Sequence, residues 1–255
     1  MIERPLFVPT PDGPLAAMLT LPDGDPAALV MVMQGYGGTR SGANQMLTRL
    51  AHALAAEGVA TLRADYAGAA ESFDAGPSER VAGVRTLVEA SRTVVPNAPL
   101  YLVASCYGVG PAVHVAADID VAGIAVVSPL IIDRTPKFVV NLRSKPVRRA
   151  IGRLRHRLRY GSRRVPPVEQ SDNVDTQDGM RELATRAPLF VLGGSEDRTT
   201  QALYDFLETM PEPVELEVAE GCAIHSSTTP EAQFAMQDGV RRWMVRNIGS
   251  NRLTS

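Results

Sequence analysis

Two cysteines and four histidines are the side chains of this 255-residue chain best suited to nucleophilic chemistry near neutral pH, and their settings differ sharply. Cys106 sits in Leu100-Tyr-Leu-Val-Ala-Ser-Cys-Tyr-Gly-Val-Gly110, an apolar strand-like run that passes straight into a glycine-rich turn and then a helical pattern. A nucleophile on so sharp a strand-to-helix turn is well exposed, but the turn is tolerable only when the residues two before and two after it are small. With Cys106 at the tip those residues are Ala104 and Gly108; with Ser105 they would be Val103 and Tyr107, and both would clash. The spacing selects the thiol, with Ser105 as the alternative nucleophile and a small buried Cys beside an inert turn as the alternative to chemistry.

A cysteine nucleophile needs a base, and a group to orient that base. His52 and His114 fall inside predicted helices, where a core or surface role accounts for them, and His156 lies in a basic stretch. His225 is different, because it follows the last predicted strand in Ala219-Glu-Gly-Cys-Ala-Ile-His-Ser-Ser227. Two cysteines cannot form a disulfide framework. Cys222, three residues before His225, reads as an inert buried thiol, or alternatively as the partner of Cys106 in a regulatory disulfide.

The elements that must position these groups follow from periodicity. Short apolar runs bounded by turn residues alternate with longer amphipathic stretches, the pattern of a mostly parallel sheet covered by helices on both faces. Strands are expected at Leu6–Val8, Leu15–Leu21, Ala28–Met33, Ala60–Ala64, Leu100–Ala104, Ile124–Val127, Leu189–Leu192 and Val214–Val218. Helices are expected at Ala43–Glu57, Glu79–Arg92, Gly108–Ala117, Thr200–Met210 and Pro230–Ile248. Pro11-Asp12-Gly13 is a turn signal that makes the first two strands an antiparallel edge hairpin. From about Pro129 to Arg186 the alternation breaks, so the chain divides into a core of residues 1–128 and 187–255 and a lid or cap insertion of residues 129–186.

Composition limits the classes of function. The chain is 45% hydrophobic with a formal net charge of −2, an ordinary globular balance that excludes disorder and collagen-like repeats. No window approaches the roughly 18 uninterrupted apolar residues of a membrane helix, and Met1-Ile2-Glu3-Arg4-Pro5 lacks the apolar core of a secretory signal, so a cytoplasmic protein is expected. Residues 134 to 164 hold twelve Arg or Lys and no acid, which leaves an acidic body around a basic insertion.

The segment around Cys106 resembles the nucleophile elbow of the α/β-hydrolase superfamily, usually written G-x-S-x-G, in a variant with cysteine at the nucleophile position, as in dienelactone hydrolases and some thioesterases. That resemblance implies an eight-stranded α/β-hydrolase sheet and a Cys106-His225-Asp197 triad in the superfamily's order of nucleophile, acid and histidine. Asp197 is its acid because Gly193-Gly-Ser-Glu-Asp197 looks like the family's G-x-x-D segment after the seventh strand, with Glu196 and Asp133 as alternatives. The oxyanion hole would be the backbone amides of Tyr107 and of Tyr36, the latter in Gln34-Gly-Tyr-Gly-Gly38 where Gln34 stands in for the usual His. Arg63-Ala-Asp-Tyr-Ala-Gly-Ala-Ala-Glu-Ser72 resembles the family's D-x-R-G-x-G-x-S turn, whose role is mostly structural. The resemblance covers about Leu15 to Ile248 without the insertion, and implies no cofactor and no metal.

A thiol beside His225 can be held as a thiolate, and an acyl thioester on it stays higher in energy than a serine ester, so the acyl group is easily passed onward. Thioesterase, cyclase or acyltransferase chemistry is therefore expected, with carboxylester or lactone hydrolysis, a lyase or a ligand-binding pocket as alternatives. Acyl carrier proteins and coenzyme A are acidic or phosphorylated, and an arginine-rich surface attracts such partners. In Pro146–Tyr160, Val147, Ile151, Leu154 and Leu158 form one apolar stripe, and Arg148, Arg149, Arg153 and Arg155 are the candidate carrier contacts. A solvated lid, a dimer contact or a membrane-surface helix has the same look. Nucleic acid is not expected as a partner, since no aromatic platform is interleaved with the arginines. The acyl group, the acceptor and the oligomeric state are not readable from the sequence.

Overall fold

The computed structural model describes residues 1–10, 13–35, 39–66, 69–72, 80–129, 171–225 and 229–252. Eight strands, β1 (Ile2–Thr10), β2 (Gly13–Leu21), β3 (Ala28–Met33), β4 (Val59–Ala64), β5 (Leu100–Ser105), β6 (Gly123–Val127), β7 (Leu189–Gly194) and β8 (Glu215–Ala219), form one sheet in the order β1-β2-β4-β3-β5-β6-β7-β8. β1 and β2 make the edge hairpin that Pro11-Asp12-Gly13 implies, β2 runs antiparallel to β4, and every pairing from β4 to β8 is parallel. The helices are α1 (Met46–Ala56), α2 (Arg80–Val94), α3 (Val109–Asp118), α4 (Ser171–Ala184), α5 (Thr200–Leu207) and α6 (Pro230–Arg252).

The central strands read as unbroken apolar runs because both their faces are covered. Side chains alternate across the sheet, so Leu29, Met31 and Met33 of β3 enter one core layer and Ala28, Val30 and Val32 the other. The first layer is closed by α2, α3, α4 and α5 through residues such as Leu87, Val113, Met180 and Phe206. The second is closed by α1 and α6, with Leu50 and Leu54 from one and Met236 and Trp243 from the other. Trp243 stacks on Phe190 at 5.7 Å between ring centroids and meets Tyr101 edge-on at 5.9 Å. It fits because Gly123 has no side chain: a Cβ there would lie 3.0 Å from both rings.

Two elements depart from the sequence pattern. Where a single helix is expected from Ala43, residues Ala43–Gln45 form a separate turn in which Asn44 and Gln45 have φ of 49° and 59°, and α1 begins only at Met46. Within the expected insertion, Ser171–Ala184 is a helix whose Met180 and Leu183 join the core beside α3. Its sequence carries too few apolar residues to show a stripe, and its close seating on α3 depends on Gly179, where a Cβ would meet Val113 Cγ1 at 2.0 Å. Residues 130–170 of that insertion, with the basic stripe, lie outside the described residues.

Candidate active site

Strand register gathers the candidate residues before any side-chain contact does. Met33 pairs beside Ala104, Ser105 beside Val127, and Gly194 beside Ala219. The segments that follow β3, β5, β6, β7 and β8 therefore leave the sheet along its carboxyl edge, where open α/β sheets bind their ligands.

At the end of β5, Ser105 is extended with φ −121° and ψ 138°, and Cys106 turns over to φ 52° before α3 begins at Val109. A non-glycine residue in that left-handed region costs roughly 1–3 kcal/mol, and it persists only where its surroundings enforce it. The enforcement is visible in the neighbouring glycines. A Cβ on Gly108 would stand 2.3 Å from the Met33 carbonyl oxygen and 2.8 Å from that of Gln34, so the turn is pressed against the end of β3. A Cβ on Gly35 would lie 3.3 Å from Cys106 Cβ and 3.7 Å from Sγ. The glycine that the sequence argument demands at 108 is thus explained by its contact with the backbone at the end of β3. Cys106 is half-buried. Burial pushes its thiol pKa up, and the hydrogen bond from the Tyr107 backbone N–H pulls the other way without cancelling it. Burial therefore works against a resting thiolate at Cys106, so a base that takes the proton matters to any attack by this thiol.

Tyr107 follows at the first turn with its side chain 41% exposed. Tyr36 lies outside the described residues, and described residues on either side of it are anchored. Gln34 Nε2 donates to the Ala64 carbonyl at 2.6 Å, and the Arg40 backbone N–H donates to Asp65 Oδ1 at 2.7 Å. The Arg40 guanidinium also pairs with Asp65, which is fully buried, and with Glu71. Ser72 Oγ donates to the Asp65 carbonyl at 2.7 Å and accepts the Ala16 N–H at 2.9 Å. Asp65 and Ser72 of the second resembling segment are therefore braces, and Arg40 is a brace that the sequence pattern gave no signal for.

Asp197 is 9% exposed, and its carboxylate accepts three hydrogen bonds. Oδ1 takes the backbone N–H of His225 at 2.8 Å; Oδ2 takes the Gly194 N–H and Ser128 Oγ, each at 3.0 Å. The loops after β7 and β8 touch backbone to backbone, since a Cβ on Gly194 would meet the Cys222 oxygen at 2.3 Å and the Ile224 nitrogen at 2.7 Å. The Glu196 N–H donates to the Cys222 carbonyl at 3.0 Å while its side chain is exposed, so of the two neighbouring acids it is Asp197 that faces His225. Asp133 lies outside the described residues. His225 is exposed, as is His114 on α3; His52 is half-buried and paired with Glu3 at 3.1 Å, and His156 lies outside the described residues. Cys222 is buried in the core layer that holds Trp243, and both cysteines are free thiols.

Arg148, Arg149, Arg153 and Arg155 are likewise outside the described residues. Among the described residues, no group of three or more His, Cys, Asp or Glu side chains is placed to hold a metal ion, and no helix is long and apolar enough to cross a membrane.

No protein-family model and no curated protein matches the sequence. Solved structures do match. An α/β serine hydrolase homologue from Coxiella burnetii is 19% identical with a TM-score of 0.64, over 97% of this chain and 98% of that one. An α/β serine hydrolase without lid from Xanthomonas campestris is 20% identical with a TM-score of 0.63, over 94% of both chains. A thermostable carboxyl esterase from Bacillus coagulans is 12% identical with a TM-score of 0.67, over 97% of this chain and 99% of that one. The chain has the α/β-hydrolase fold.

Proposed function

We propose that this chain is an acyl-transfer enzyme of the α/β-hydrolase fold, using Cys106 as nucleophile, His225 as base and Asp197 as the acid that places the His225 loop. The observation that carries the proposal is Cys106 at φ 52° on the tip of the β5–α3 turn, backed by the hydrogen bond from the His225 N–H to the buried Asp197. In the proposed reaction the His225 imidazole takes the Cys106 proton as Sγ bonds to the carbonyl carbon of a thioester or ester. The tetrahedral oxyanion is held by the backbone N–H groups of Tyr107 and Tyr36. The intermediate collapses to an acyl-Cys106 thioester, and the leaving thiolate or alkoxide takes the proton from His225. Water, or a hydroxyl or amine of the acyl chain itself, then attacks the acyl-enzyme and regenerates the thiol.

The acyl donor is proposed to be a thioester on coenzyme A or an acyl carrier protein, with Arg148, Arg149, Arg153 and Arg155 contacting the carrier's negative charge. Carboxylester hydrolysis is the second reading, favoured by the carboxyl esterase among the similar structures. Intact-mass measurement after incubation with acyl-coenzyme A and acyl-carrier-protein thioesters separates the two, with Cys106→Ala as control. An acyl adduct absent from the control supports acyl transfer and names the carrier. No adduct and no turnover with any thioester, alongside turnover of simple esters, moves the assignment to ester hydrolysis. Full activity after alkylation of Cys106 would refute Cys106 as the nucleophile in either reading.

A further inference from the structure

We infer that Ser128 is a positioning residue for Asp197, an inference that rests on the Cys106, His225 and Asp197 reading above. Ser128 follows β6 directly and is 3% exposed. Its backbone N–H donates to the Leu192 carbonyl of β7 at 2.7 Å, which fixes it over the β6–β7 seam, and its Oγ donates to Asp197 Oδ2 at 3.0 Å. Of the three donors on the Asp197 carboxylate, the other two are backbone amides: Gly194 from the aspartate's own loop and His225 from the loop it must hold. Ser128 is thus the side-chain donor, and it comes from a third segment that neither of those loops can carry along when it moves. With one oxygen on Ser128 and Gly194 and the other on His225, the plane of the carboxylate is set, and so is the direction from which the His225 loop is held.

The backbone supports a role for the hydroxyl. Ser128 has φ 44°, a conformation that glycine adopts freely and serine does not. What serine adds at that position is the hydroxyl on Asp197. A residue kept only to turn the chain would be better served by glycine. Removing the hydroxyl should therefore harm the reaction more than the fold, because Ser128→Gly also releases the strained φ.

The test compares Ser128→Gly and Ser128→Ala, each alone and combined with Asp197→Asn. The readouts are p-nitrophenol release from p-nitrophenyl acetate, the pH profile of Cys106 alkylation by iodoacetamide, and Tm. The expected result is a kcat reduced at least about tenfold at unchanged KM, the size of one hydrogen bond to a charged group. Tm of Ser128→Gly should stay close to wild type, and the kinetic loss should vanish in the Asp197→Asn background, because the two residues act as one unit. An equal loss in both backgrounds, or a loss that tracks Tm across the two variants, overturns the positioning role and leaves Ser128 a purely structural residue. If Asp197→Asn itself changes neither ester turnover nor the alkylation profile, the triad reading falls, and the role of Ser128 falls with it.

Discussion

Adding one methyl group at Gly108 is the sharpest probe of the turn that carries Cys106. The new Cβ would stand 2.3 Å from the Met33 carbonyl oxygen, about 1 Å inside ordinary contact, and 2.8 Å from the Gln34 oxygen. Both opposing atoms are backbone, so no rotamer change relieves the overlap. Met33 pairs with Ala104 of β5, and moving it by about 1 Å strains the β3–β5 ladder as well as the turn. Overpacking of a close-packed core costs typically 1–3 kcal/mol, and a clash against backbone belongs at the upper end, about 3 kcal/mol. For a chain of this size each kcal/mol moves Tm by about 2–4 °C, so Gly108→Ala should lower Tm by about 6–12 °C. Turnover of p-nitrophenyl acetate should fall with it, because the displaced atoms are the start of the loop that carries Tyr36. Gly110→Ala is the matched control two residues on. Its Cβ would meet only the Thr176 Oγ1 at 3.2 Å, a side-chain atom, and alanine gains up to about 1 kcal/mol over glycine inside a helix. Thermal unfolding by circular dichroism reads both. A Gly108→Ala protein within 2 °C of wild type and fully active would refute the contact between the Cys106 turn and β3.

Gly35→Ala should weigh on activity more than on stability: its Cβ meets Cys106 Cβ at 3.3 Å, a tight contact that a shift of a few tenths of an ångström relieves, and Sγ at 3.7 Å, so Tm should fall by no more than about 4 °C while kcat/KM drops at least about tenfold because the thiol is shielded. Because burial raises the Cys106 thiol pKa, the unfolded chain loses that proton first as pH rises, so stability from this group is intact below about pH 8.5 and lost above it. Denaturant unfolding should show wild type losing stability relative to Cys106→Ala as pH rises above about 8.5, with parallel curves below. Arg40→Ala removes the side-chain partner of the fully buried Asp65, which should cost about 3–5 kcal/mol in urea unfolding and slow ester turnover through the loosened loop after β3.

Much of this molecule was legible in its residues, and the reason is period. The apolar run Ala28–Met33 coincides with β3, and the other apolar runs lie within a few residues of their strands, because strands covered on both faces leave an unbroken signature bounded by turn residues. The small residues at 104 and 108 announced the turn at Cys106, because a steric requirement that acts within five residues is written in those five residues. What the chain could not announce were relations between distant segments. Helix α4 is invisible as a stripe, because Gly179 and two apolar side chains suffice to seat it on α3. The upward push on the Cys106 thiol pKa depends on how much of it the fold buries, and so runs against the thiolate that a histidine base would favour. Asp197 was marked out by its place after a strand, but only the folded chain puts its carboxylate on the His225 N–H and the Ser128 hydroxyl. Sequence determines which residues can do chemistry and which local turns can bear them. Which groups share a proton, a charge or a hydrogen bond is decided by strand register and by glycine contacts between loops, and those exist only once the sheet is assembled.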